Sequence, residues 1–285
     1  DHVGGLYRQR RSQGTRIADA RSDRVRLALG VSYSGTAYQG WQSQSSGLTI
    51  QDKLEKALAA FCDVPRVSTL CAGRTDAGVH GLMQVVHFDT DLDRTPYSWV
   101  RGTNRFLPDD IAVQWAQYVP DSFHCRASAT GRRYVYVLLD SPVRPSLDAG
   151  RVGWSYRPLT QEAMQQASQH LLGEHDFSSF RASSCQALSP VKTLRKIDIS
   201  RKGHYWRFEF EGNAFLHHMI RNIMGCMVQV GQGQQSPDWM LQVRNAKSRD
   251  AAAPTFSPDG LYFAGPIYSA EWGLPDTTPP FDWLP

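Results

Sequence analysis

The first regular pattern in the chain begins at Val25, where Val25, Leu27, Leu29 and Val31 alternate with Arg26, Ala28, Gly30 and Ser32. A period of two predicts a half-buried strand over 25–31. Residues 33–47, rich in Ser, Gly and Gln, read as a loop. Thr49 then stands as the N-cap of a helix whose Ile50, Leu54, Leu58 and Phe61 share one face, with Asp52 in its first turn. Strands are predicted over 67–72 and 83–90 with a Gly-rich connection between them. Thr95-Pro96 opens a second helix reaching about residue 106, and Ile111, Val113 and Trp115 alternate as a further strand. The pattern breaks near Val119-Pro120-Asp121, which sets a domain boundary between residues 25–122 and 123–273.

The second half opens with a strand over 133–139 and a helix over 160–172 closed by Gly173. Segments 193–200 and 205–212 read as a hairpin turning at Lys202-Gly203, with Trp206, Phe208 and Phe210 on the buried face. From 215 to 231, Leu216, Met219, Ile220, Ile223, Met224, Met227 and Val228 recur at helical spacing. The other side of that helix carries His218, Arg221, Asn222 and Gly225, a polar row that could face a cleft. Gly265-Pro266 interrupts the last apolar run, so that strand is expected to be short, bulged or at an edge. Strands joined mostly by loops and hairpins favour an α+β fold of antiparallel sheets over a doubly wound parallel one.

Composition narrows the class. The 285 residues are 41% hydrophobic and 20% charged, which excludes collagen, coiled coil and wholesale disorder. Net charge is +4, but six Arg and three Asp fall in the first 24 residues, so the remainder is near neutral. Only a local patch could then serve nucleic-acid binding. Of the 31 basic residues 25 are Arg, which suits phosphate contacts and stacking, and equally reflects a GC-rich genome. Residues 1–24 and 274–285 read as tails, the first as a disordered or artificial extension. Five Cys without close spacing predict a reducing, cytoplasmic compartment. No apolar run approaches the roughly 20 residues of a membrane span, and no signal peptide is expected.

The densest chemistry lies in Gly73-Arg74-Thr75-Asp76-Ala77-Gly78-Val79-His80-Gly81, between two predicted strands. Its glycines let backbone approach a ligand, and an acid beside a base in a tight loop suits nucleophilic or acid/base catalysis. The same residues also fit an Asx-turn with a surface salt bridge. Tyr38-Gln39-Gly40-Trp41-Gln42 suits stacking on bases and hydrogen bonding to their edges, or the cover of a core edge. Arg126, Arg132 and Arg133 beside Tyr134 form either a phosphate- and base-binding patch or a solvated strand entrance. His217-His218 is not expected to bind metal, since neighbours on a helix diverge by about 100°. Nucleotide-binding and serine-hydrolase motifs are missing from the sequence.

Taken in order, YQGWQ at 38–42, GRTDAGVHG at 73–81, RRYVY at 132–136, NAFLHHMIRN at 213–222 and DGLYF at 259–263 resemble the tRNA pseudouridine synthase A family. The resemblance runs from about residue 25 to 272. It implies a two-domain α+β pseudouridine synthase fold with the active-site cleft between the domains. It also implies a homodimer, no cofactor or metal, and isomerisation of uridine to pseudouridine at positions 38, 39 and 40 of the tRNA anticodon stem-loop. On that resemblance Asp76 is the catalytic aspartate, Arg221 its partner, and Tyr134 the ring that stacks on the target uracil. The residues expected to contact RNA are Tyr134, Arg74, Trp41, Gln42, His80, Arg126, Arg132 and Arg133. A non-catalytic RNA binder and a nucleoside hydrolase are the competing readings; the first has no need of a carboxylate facing RNA, and the second usually shows clustered carboxylates or a metal site.

Overall fold

The computed structural model of the chain describes residues 23–275. The first 22 and last ten residues, where most of both predicted tails falls, lie outside the described residues.

The first half runs β1 (Val25–Tyr33), α1 (Ile50–Cys62), β2 (Leu70–Cys71), β3 (His80–Thr90), α2 (Pro96–Asn104) and β4 (Ile111–Val119). Thr49 caps α1 as expected, its hydroxyl accepting the Asp52 N–H. Thr95 caps α2 in the same way, with Pro96 at the helix start. The strand expected over 67–72 shrinks to Leu70–Cys71, because the Thr69 N–H and hydroxyl are held instead by Glu55 of α1.

The second half runs β5 (Ala129–Asp140), β6 (Gly153–Ser155), α3 (Gln161–Gln169), β7 (Gly173–Asp176), β8 (Val191–Lys202), β9 (Tyr205–Gly212), α4 (Met219–Gly231), α5 (Pro237–Ala246) and β10 (Leu261–Tyr268). The β8–β9 hairpin buries Trp206, Phe208 and Phe210 as the alternation predicts. Helix α3 ends at His170, and Gly173, at φ 95°, opens β7 rather than closing the helix. Two short strands and α5 escape the periodicity reading. For α5 the Ser236-Pro237 pair, a helix-opening signal, was available.

The strands form one sheet in the order β4-β1-β3-β10-β5-β9-β8-β7, with β2 on β3 and β6 on β5. The two halves join through β10, which runs parallel to β3 at Tyr262–His80 and Phe263–Gly81 and antiparallel to β5. The last strand is therefore central and eight residues long. It is bulged between Phe263 and Gly265, and Pro266 lies beyond the stretch paired with β3.

A second irregularity decides the layering. Tyr33 pairs with Gly81 and Val31 with Gln84, so β3 spends three residues where β1 spends two. Paired residues point to the same face. Leu27, Leu29, Val31 and Tyr33 thus share a face with Gly81, and through it with Phe263, Tyr134, Tyr136, Phe208 and Phe210. That face carries both large cores: Leu54, Leu58 and Trp99 of α1 and α2 over β1 and β3, and Met164, Ile223, Met227 and Met240 of α3 to α5 over β5, β8 and β9. Gly81 is obligatory, since a Cβ there would lie 2.4 Å from the Tyr33 ring. Among the described residues no helix is long and apolar enough to cross a membrane.

His87 is buried on the opposite face, where its Nδ1 accepts the Cys125 N–H at 3.1 Å. Burial, helped by the Arg26 and His124 charges, pushes its pKa down to about 4. The unfolded chain binds a proton near pH 6.5, which the folded chain refuses until about 4. Stability is therefore fully present above the unfolded value and declines as pH falls between these limits. Burial lowers His80 as well and adds to the slope. Thermal melts from pH 8 to 5 should show a flat melting temperature that drops below about pH 6.5, with a shallower drop in His87→Gln.

Candidate active site

Asp76 is placed by a loop clamped from both ends. The Gly73 carbonyl accepts the Gln84 side-chain amide, and the Thr75 hydroxyl meets the Tyr33 phenol at 2.8 Å. The Thr75 carbonyl takes the Trp41 N–H at 3.0 Å, and the Asp76 carbonyl takes the Val79 N–H at 3.0 Å. Residues 35–41 form the cradle. A Cβ on Gly35 would lie 1.9 Å from the Val79 carbonyl oxygen, and one on Gly40, at φ 87°, would lie 2.9 Å from the Thr75 oxygen.

The cradle corrects two expected RNA contacts. Trp41 is 1% exposed, packed at 5.6 Å from the Tyr33 ring, so its indole holds the loop and presents no face to a base. His80 is 2% exposed, and both its nitrogens are used: Nδ1 accepts the Gly35 N–H at 2.9 Å and Nε2 meets the Asp259 carbonyl at 2.8 Å. Gln42 and Arg74 are exposed, Arg74 beside the aspartate.

From the other half, Arg221 in the first turn of α4 sets its Nη1 3.1 Å from Asp76 Oδ2. Its Nε donates to the Phe256 carbonyl at 2.8 Å, which fixes the guanidinium. Tyr134 is half-buried, its ring edge-on to Phe215 at 4.9 Å and tilted over Phe263 at 5.1 Å. Burial, reinforced by the Asp76 charge, pushes the Tyr134 phenol above its ordinary pKa, so it stays protonated.

The arginine patch divides. Arg132 and Tyr134 point to one face of β5 and Arg133 to the other, because strand side chains alternate. Arg133 lies 3.7 Å from Glu211, away from the tyrosine. Arg132 donates to the Asn213 and Arg126 carbonyls, and Arg126 is exposed next to it.

Helix α4 begins four residues later than its apolar spacing suggests. The Asn213 side chain takes the Thr193 and Ala214 N–H groups and holds this stretch out of the helix. His218 becomes the cap at φ 63°. The helix-based argument that His217 and His218 diverge therefore fails: their rings lie 4.0 Å apart, and both reach Asp76, His217 Nε2 at 2.8 Å from Oδ1 and His218 Nε2 at 3.3 Å from Oδ2. Sequence reasoning missed His217 and placed His218 only in a polar row, which shrinks to His218 and Arg221. Asn222 is fully buried on the Phe180 carbonyl, and Gly225 packs against Pro254. Burial lowers the His218 pKa despite the Asp76 charge. The carboxylate sits at the N-terminus of α4, where the helix dipole favours an anion.

Among the described residues two groups have the donor types of a cation site, with ligand atoms within 4.8 Å: Asp76, His217 and His218, and His87, His124 and Cys125. In the first, the His217 imidazole is hydrogen-bonded to the carboxylate and the His218 imidazole lies 3.3 Å from its other oxygen. In the second, the histidine Nδ1 atoms already accept N–H groups of residues 125–127. Because Gly35 abuts the Val79 carbonyl of the Asp76 loop, Gly35→Ala should leave a folded protein with a displaced loop. Circular dichroism close to the parent together with at least a tenfold loss of activity is the expected outcome.

The chain matches the family model described as tRNA pseudouridine synthase over residues 30–126 and 167–269. It is 67% identical over 279 residues to "tRNA pseudouridine synthase A" of Paracidovorax citrulli, and 70% identical over 261 residues to the protein of that name in Albidiferax ferrireducens. Each alignment covers 92% of this chain and all of the relative. Among solved structures, "Crystal Structure of a Cbf5-Nop10-Gar1 Complex" aligns at 13% identity and TM-score 0.32 over 71% of this chain and 45% of that one, too loosely to bear on the site. The family-model match and the end-to-end identity to these relatives establish that the chain belongs to the tRNA pseudouridine synthase family.

Proposed function

We propose that this chain isomerises uridine to pseudouridine in tRNA, at positions 38 to 40 of the anticodon stem-loop. The observation that carries the reading is the Asp76 carboxylate, bonded to Arg221 at 3.1 Å from the opposite half of the sheet and acting through its charge on the same half's Tyr134 phenol. The relatives' printed names supply the tRNA, and the sequence resemblance supplies the anticodon positions.

The chemistry asks little beyond these groups. The N1–C1′ bond of uridine breaks, a C5–C1′ bond forms, the C5 proton leaves and N1 gains a proton. Product and substrate are isomers, so the conversion needs no oxidant, reductant or group donor. Asp76 either attacks C1′ or removes the 2′ proton, and both roles need an ionised carboxylate. Arg221 donates to one of the carboxylate oxygens at 3.1 Å. The detached uracil must turn and rebond without escaping, which the Tyr134 ring supports as a stacking face. Its phenol, held protonated, serves as a donor and apolar platform rather than as a base. Flipping the target from its stack costs a few kcal/mol, which the exposed Arg74 and Arg126 can help offset through phosphate contacts.

The test is tritium release from tRNA transcribed with C5-tritiated uridine, in EDTA and without added cofactor. The parent should release tritium, while Asp76→Asn should release none and keep tRNA affinity within a few-fold. Turnover by Asp76→Asn would sink the assignment, and tight binding without release by the parent would favour the non-catalytic RNA-binding reading. Arg221→Ala should lower kcat more than it raises KM; an unchanged kcat with raised KM would refute its role beside the carboxylate.

A further inference from the structure

A carboxylate offers about four lone-pair positions, and the nitrogens gathered around Asp76 are shared unequally between its oxygens. Oδ2 has two nitrogens close by, Arg221 Nη1, which donates to it at 3.1 Å, and His218 Nε2 at 3.3 Å. Oδ1 faces one nitrogen, His217 Nε2 at 2.8 Å, and is the less crowded of the two oxygens. We propose that Oδ1 is the oxygen that reacts with the ribose and that His217 is the positioning residue that aims it. This rests on the isomerase reading of the same site.

His217 is built for that task. Its backbone N–H points to Cys185 Sγ at 3.4 Å, and its carbonyl accepts the Ala182 N–H at 3.0 Å. On the ring, Nδ1 lies 3.2 Å from Ser184 Oγ. A neutral imidazole carries one N–H and one lone pair. Two bare acceptors 2.8 Å apart would repel, so the proton sits on Nε2, toward Asp76, and the Ser184 hydroxyl donates to Nδ1. The chain Ser184–His217–Asp76 thus fixes the tautomer and the carboxylate plane without requiring a charged histidine.

The backbone supports the same assignment. His218 stands at φ 63°, an unfavourable conformation for an L residue. Consecutive helical residues would splay the two rings by about 100°. The left-handed residue instead brings them to 4.0 Å and sends both Nε2 atoms to one carboxylate. Strain of this kind, held beside reacting groups, is a mark of imposed geometry.

The experiment measures single-turnover pseudouridine formation and tRNA affinity for the full chain and for His217→Ala, His217→Gln, Ser184→Ala and the Ser184→Ala/His217→Ala pair. His217→Ala should slow the reaction about 100-fold, with tRNA affinity within about threefold, since a misaimed group costs rate rather than binding. His217→Gln, whose amide can still donate, should recover most of that loss. Ser184→Ala should slow the parent a few-fold and add nothing in the His217→Ala background, because it acts only through the imidazole. A parent-like rate in His217→Ala, equal losses for Gln and Ala, or an additive Ser184 effect would each overturn the proposal. If His217→Ala does not fold, the Gln and Ser184→Ala variants still decide. An inactive parent would instead defeat the isomerase reading, whereas an active parent with inactive Asp76→Asn and unaffected His217→Ala would defeat this inference alone.

Discussion

Cross-strand partners share a face of a sheet, and a one-residue slip moves every later side chain to the other side. The extra residue that β3 inserts between Gly81 and Gln84 is such a slip, made locally and kept. With it, Tyr33, Gly81, Phe263 and Tyr134 line one side of the sheet, and both helix groups cover that side. Without it, the helices of the two halves would cover opposite faces, and Asp76 and Arg221 could not meet. The bulge is held by the close passage of Tyr33 across Gly81, and the Tyr33 phenol goes on to bind Thr75, next to the aspartate. The device that aligns the two layers therefore also positions the reactive loop.

Once the layers align, the site follows from where charge is placed. One carboxylate is supplied by a loop of the first half, and its donors by the start of α4 in the second. Three side chains, His217, His218 and Arg221, converge on it, while Tyr134 is kept neutral nearby by burial and by the carboxylate's own field. The arrangement spends its strain on orientation, at His218 and in the glycine cradle of residues 35–40.

The sequence was informative where local physics decides structure. The caps at Thr49 and Thr95, the β8–β9 hairpin and the apolar stripe of α4 rest on periodicity and capping chemistry and are legible in one dimension. Asp76, Arg221 and Tyr134 were reached through motif resemblance, and composition alone left Asp76 open between an active-site loop and a turn. What stayed hidden depends on register or on a single dihedral. The late start of α4 needs the Asn213 side chain, and the meeting of His217 and His218 needs a positive φ that no residue type announces. Trp41 and His80 have the chemistry of RNA contacts, and only three-dimensional packing shows that they support the loop instead. Arg132 and Arg133, adjacent in sequence, fall on opposite faces because a strand alternates.

Geometry around one carboxylate, rather than the mere presence of an acid, gives the site its chemistry. Asp76→Glu keeps the charge and moves the oxygens outward by one methylene, away from the positions set by Arg221 and His217. Single-turnover pseudouridine formation on tRNA should then fall at least 100-fold while the variant remains folded and binds tRNA, as expected of a displaced reacting group. A rate within about tenfold of the parent would mean that the carboxylate does not depend on its clamp, because it would then be indifferent to such a shift.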